Sequence, residues 1–106
     1  MKTTIIARLG MIFSQDDINR ITVKDEVEKN LQVIVDVHGM KCSQAKRFIN
    51  NIINAIRSAF KLVIIHGYNH GTAIKDMLAE GFRNAHIVEQ FQDPYNKGIT
   101  HMALVP

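Results

Sequence analysis

Residues 32–67 read QVIVDVHGMKCSQAKRFINNIINAIRSAFKLVIIHG, and their pattern decides the fold. QVIVDV (32–37) is short, continuous and rich in β-branched residues, which predicts a strand. Ser43 is a good N-cap for a helix that follows. Ala45, Phe48, Ile49, Ile52, Ile53, Ile56 and Phe60 then recur at spacings of three and four, the signature of an amphipathic helix. Its other face carries Arg47, Asn50, Asn51, Asn54 and Arg57, read as a solvated stripe. KLVIIH (61–66) forms the next strand; it lacks polar alternation, as expected of a strand covered on both sides. Strand, helix, strand over this length is a parallel crossover unit.

Working outward, a second helix is predicted from Thr72 to Ala79, burying Ala73, Ile74, Met77 and Leu78, with Gly81 placed to end it. AHIVEQF (85–91) and GITHMALV (98–105) read as strands joined by the turn-forming DPYNKG. The expected fold is an α/β two-layer sandwich, β-α-β-α-β-β, with a mixed four-stranded sheet, over residues 31–106. Residues 1–30 read as an N-terminal arm packed on the same domain. Within that arm Ser14 followed by Asp17 resembles a capping box before Ile18 and Ile21, which predicts a short helix there.

A chain of 106 residues suits a single hydrophobic core. Hydrophobic residues make up 46% and charged ones 22%, ordinary for a soluble domain. No apolar run approaches the roughly 20 residues that span a bilayer. MKTTIIARLGMIF at the amino terminus is interrupted by Arg8 and lacks a small-residue cleavage site, so a cytoplasmic location is expected. The lone Cys42 excludes an internal disulfide and a cysteine-cluster zinc site, and reads as a half-buried thiol. Residues 1–30 hold five basic and five acidic side chains, whereas residues 31–106 hold eight and five, the whole net charge of +3. That excess favours a polyanionic partner without demanding one.

Both predicted parallel strands run into His-Gly: His38-Gly39 after the first, His66-Gly67 after the second, with His70-Gly71 repeating the pair. Parallel strands of a right-handed crossover end on one edge of the sheet, where open α/β sheets bind ligands. His38 and His66 are therefore expected to face one crevice. Asp36, two residues before His38, lies on the same side of its strand and needs a partner there, for which a histidine is the obvious candidate. Gly67 and Gly71 flank a tight loop that lets backbone N–H groups approach a ligand, and the helix after it offers further N–H groups to phosphate. Asn69 tolerates a left-handed backbone, and Tyr68 presents a face on which a base can stack. His86 and His101 sit inside strand patterns and read as structural.

VDVHGM (35–40) resembles the L-D-x-H motif of the small MutS-related (Smr) domain family, and HGYNHG (66–71) is similar to its H-G-x-G loop. The resemblance covers about residues 31–105, including a glycine before the last strand. It departs at Val35 for leucine, at Asn69 for the second glycine and at Tyr68, a position often basic in the family. It implies a nucleic-acid-binding domain, often with endonuclease or nicking activity on RNA or DNA, and puts Asp36, His38, His66 and Gly67 at the family's proposed active-site positions.

The expected catalytic set is thus Asp36, His38 and His66. Gly67, Tyr68, Asn69, His70, Gly71, Lys41 and Lys75 are expected to bind the nucleic acid. A non-catalytic module that binds nucleic acid, the ribosome or another protein is the alternative reading, followed by a small-molecule phosphatase or nucleotide-binding protein. Oxygen and nitrogen donors in the catalytic set suit a divalent ion such as manganese, magnesium or zinc. Two histidines at neighbouring strand ends also suffice for metal-free RNA cleavage, one as base and one as acid.

Overall fold

The computed structural model describes residues 2–26, 30–68 and 71–106. In chain order the elements are α1 (Lys2–Ile12), α2 (Gln15–Ile18), β1 (Ile21–Glu26), β2 (Asn30–Asp36), α3 (Cys42–Ala55), β3 (Phe60–Ile65), α4 (Ala73–Glu80), β4 (Ile87–Gln92) and β5 (Ile99–Leu104). The sheet is mixed and five-stranded, in the order β1-β2-β3-β5-β4. β2 and β3 are parallel, and every other neighbouring pair is antiparallel. The four strands expected after residue 31 are present; the fifth, β1, comes from the segment read as an arm.

That segment is more structured than its sequence suggested. Ser14 caps α2, its hydroxyl accepting from the Asp17 N–H, as the capping-box spacing implied. The strand that follows pairs along its length with β2, from Ile21 opposite Val35 to Glu26 opposite Asn30. β1 is an edge strand in which Val23 is the one buried residue among those whose side chains are described, so it carries too little apolar alternation to announce itself. α1 buries just Ile5 and Leu9, one turn apart, against the same core. Its threonines, isoleucines and Gly10 are weak helix formers, and packing on β1 and α3 supplies what propensity does not.

One cluster gathers the apolar side chains of α1, α3 and α4 with Val23, Leu31, Val33, Val35, Leu62, Ile64, Met102 and Leu104 of the strands. These helices therefore cover a single face of the sheet. α3 is the centre of that layer: Phe48, Ile49, Ile52 and Ile53 are all buried, each contributing about 1.5–3 kcal/mol of apolar burial. The other face carries Thr22, Ile34, Val63, His101 and Phe91 in one cross-strand row, away from the face on which α1, α3 and α4 pack. The expectation that the 61–66 strand is covered on both sides is corrected accordingly. Val63 is nonetheless 8% exposed, because Ile34 and His101 flank it on the neighbouring strands of a central position.

Boundaries shift where a tertiary contact outweighs the local pattern. α3 starts at Cys42, with Lys41 in the cap position and Ser43 already inside the first turn. It ends at Ala55: Ile56 is extended, and Phe60 opens β3 rather than closing the helix. α4 ends at Gly81 as expected, but Ala73 is exposed instead of buried. Cys42 is half-buried. Among the described residues no helix is long and apolar enough to cross a membrane.

The β4–β5 turn is held by Asp93. One carboxylate oxygen accepts from the backbone N–H groups of Tyr95 and Asn96, and the other accepts from His101 Nε2 at 2.7 Å. The His101 hydrogen bond is the largest cause holding the Asp93 carboxyl below its ordinary range, with the turn N–H groups adding to it and partial burial opposing. A depressed carboxyl favours the folded state above the unfolded value of about 3.9, and that contribution disappears as pH falls through the lower folded value. Acid titration of stability should therefore lose this contribution below about pH 4. Asp93→Asn should flatten that limb of a urea-midpoint profile; an unchanged acid limb would contradict the linkage.

Candidate active site

β2 and β3 run parallel in a register that sets Asp36 beside Ile65, and the Val37 N–H extends the ladder to the Ile65 carbonyl. The chain segments leaving the two strands are thus neighbours. His38 and His66 open them, and both line one cavity of about 480 Å³. Of the other expected residues, Gly67, Tyr68, Gly71 and Lys75 line it as well. Lys41 is exposed in the cap position of α3 and does not. Asn69 and His70 lie outside the described residues. A second cleft, of about 400 Å³ between α4 and the β4–β5 hairpin, has Arg83 as its one ionisable side chain and no comparable chemistry.

Asp36 and His38 form a pair. Asp36 Oδ1 lies 2.5 Å from His38 Nδ1 and also accepts from the His38 backbone N–H at 3.1 Å. A carboxylate only accepts, so Nδ1 carries the proton and Nε2 of the neutral ring presents its lone pair outward. Nε2 has no hydrogen-bond partner among the described residues. The His38 side chain is 67% exposed, that of Asp36 38%, so the free nitrogen is open to solvent and to a ligand. This is a base-plus-orienting-carboxylate arrangement suited to proton abstraction.

His66 is held differently. It is 6% exposed, with Nδ1 2.8 Å from the Gly67 carbonyl and Nε2 2.9 Å from Thr100 Oγ1. The carbonyl accepts only, so Nδ1–H donates to it, and Nε2 accepts the Thr100 hydroxyl proton. Both ring nitrogens are spent inside the protein. His66 is a wall and a brace of the cavity, with no nitrogen left to serve as the second proton-transfer group.

The loop's donors are also partly committed. The Gly98 carbonyl accepts from both His66 N–H (2.8 Å) and Gly67 N–H (3.1 Å), so the Gly67 N–H expected to face a phosphate is used internally. Gly67 takes a φ of 71°, a left-handed turn that glycine enters without strain. At the start of α4, Asp76 sits in the first turn and accepts from the Thr72 hydroxyl at 2.8 Å. Its negative charge already complements the positive end of the helix dipole and disfavours an anion there. Lys75 is the cation that faces the cavity.

Three contributors were not evident from the sequence. Arg20, just before β1, donates from Nη1 to the carbonyls of Asp36 (3.1 Å) and His38 (3.4 Å), bracing the backbone on which the pair is mounted. Thr100 orders His66 from 34 residues away. Gly98 lies against Gly67, and a Cβ added to it would meet Gly67 Cα at 3.1 Å. A glycine before the last strand was the one sequence signal among these. Asp36, His38 and His66 do not converge as metal ligands: Asp36 Oδ1 is taken by His38, both His66 nitrogens are taken, and no group of three His, Cys, Asp or Glu among the described residues can hold an ion. The donor set does not fit the divalent site considered from sequence.

Gly98→Ala should force Gly67 away by overpacking backbone on backbone, costing about 1–3 kcal/mol. Gly10→Ala, with open space in α1, should add about 0.5–1 kcal/mol. Urea denaturation of the two variants checks the contrast; equal midpoints would refute the close approach. No protein-family model, curated protein or solved structure matches this chain, so its functional reading rests on the chemistry of the edge itself.

Proposed function

We propose that this chain is an Smr-like nucleic-acid-binding protein that cleaves RNA phosphodiester bonds at the β2–β3 edge. The observation that carries the reading is the Asp36–His38 pair, whose second imidazole nitrogen no described residue bonds, on a histidine that lines a cavity. A binding module has no need of an oriented base there. The positive excess of residues 31–106 supports a polyanionic ligand.

The reaction uses the substrate's own hydroxyl as nucleophile. His38 Nε2 takes the 2′-hydroxyl proton, the 2′-oxygen bonds to phosphorus, and the P–O5′ bond breaks. Water protonates the departing 5′-oxygen, and the imidazolium returns its proton to solvent. Asp36 holds His38 in the tautomer that accepts at Nε2 and stabilises the imidazolium once it forms. Lys75 opposes the charge that builds on the non-bridging oxygens. His66, buried and fully hydrogen-bonded, keeps the Gly67 turn in place.

Incubation of the protein with end-labelled RNA and with DNA of the same sequence, chelator present, tests this. RNA should be cut to a 2′,3′-cyclic phosphate and DNA left intact. His38→Ala should lose about 10²–10⁴-fold in rate, and Asp36→Asn should slow cleavage with binding unchanged. DNA nicking, or activity that needs added manganese, would overturn the mechanism. RNA binding without cleavage would favour the non-catalytic module.

A further inference from the structure

The cavity beside His38 is built for more than a phosphate. Met40, Ile65, Ala73 and Ile74 form much of its wall, Tyr68 stands 47% exposed at its rim, and Lys75 is its one lysine. Phosphate contacts require cations and N–H donors, yet here the Gly67 N–H is committed and Asp76 occupies the first turn of α4. A concave apolar wall next to a reactive group binds an apolar part of the substrate. In a polynucleotide the one flat apolar moiety is a nucleobase. Within a duplex both its faces are stacked on neighbours, so it reaches such a cavity only when unpaired.

We infer that this cavity is a base pocket that receives one unpaired nucleobase beside the scissile phosphate. The protein's substrate class is then single-stranded or looped RNA, not duplex. The inference rests on the nucleic-acid reading of this edge. Tyr68 supplies the stacking face and Met40 a flexible, polarizable wall, so recognition tolerates different bases. At about 480 Å³ the space lies within the range of small-ligand pockets. Tyr68 stands where the resembling family often has a basic residue, which exchanges a phosphate contact for a stacking one.

Binding is separated from cleavage by using a 2′-O-methyl oligonucleotide, which has no free 2′-hydroxyl to attack. Fluorescence anisotropy should show the single strand bound at least tenfold more tightly than its duplex. A strand of the same backbone lacking bases should bind no better than the duplex. Tyr68→Ala, at an exposed position, should weaken the single strand by about 5- to 150-fold, the equivalent of one stacked base. Ala73→Phe, which fills the cavity from an exposed position, should weaken it too; circular dichroism confirms that both variants fold. Equal affinity for duplex and single strand, for the base-free strand, or for Tyr68→Ala would overturn the base pocket. Cleavage of unmodified RNA is scored in parallel. Base-dependent binding without cleavage sinks the nuclease reading and leaves the pocket standing, whereas cleavage without base dependence does the reverse.

Discussion

The parallel pairing of β2 with β3 is the constraint on which the rest of this molecule depends. It sets Asp36 beside Ile65, so the two chain segments that leave the sheet emerge side by side. Every residue of the site is positioned relative to that pair of strand ends. A slip of one residue would turn Asp36 to the helix face and replace Val35 in the core with a carboxylate, a cost of several kcal/mol for an unpaired buried charge. The wholly buried side chains of Val33, Val35, Leu62 and Ile64 hold the register against such a slip.

β5 completes the edge by running antiparallel to β3. Its first residues reach the same strand end from the other direction, and there the Gly98 carbonyl takes the N–H groups of His66 and Gly67. The approach is close enough that a Cβ at residue 98 would crowd Gly67 Cα at 3.1 Å. Thr100, two residues on and pointing to the same face, then meets His66. Division of labour between the histidines follows from this geometry. His66 sits between β3 and β5 and is consumed by structure; His38 sits on the open side of β2, where Asp36 satisfies one nitrogen and leaves the other free.

The same contrast appears in the polar groups around the cavity. A loop of glycines before a helix suggests a phosphate cradle, but a cradle needs N–H groups without partners. Here the β4–β5 turn claims the first of them, and an aspartate answers the helix dipole. What remains around His38 is largely apolar. Each donor used for folding is one not offered to a ligand.

The sequence by itself determined the β-α-β-α-β-β core, the edge carrying both His-Gly pairs and the Asp36–His38 partnership, because each is written in local spacing. Strands alternate with a period of two and helices with 3.6, and a residue two positions away shares a strand face. Only the tertiary structure decided that residues 21–26 join the sheet, that His66 has no free nitrogen, and that Arg20 braces the dyad from an element read as an arm. β1 escaped detection because Thr22, Lys24 and Asp25 are solvent-exposed, and only Ile21 and Val23 among its described side chains pack toward the core. The fate of His66 escaped because its partner, Thr100, is 34 residues distant. Periodicity reports which way a side chain faces; which polar atom it meets there is chosen by strand pairing across the sheet, and no local pattern records that.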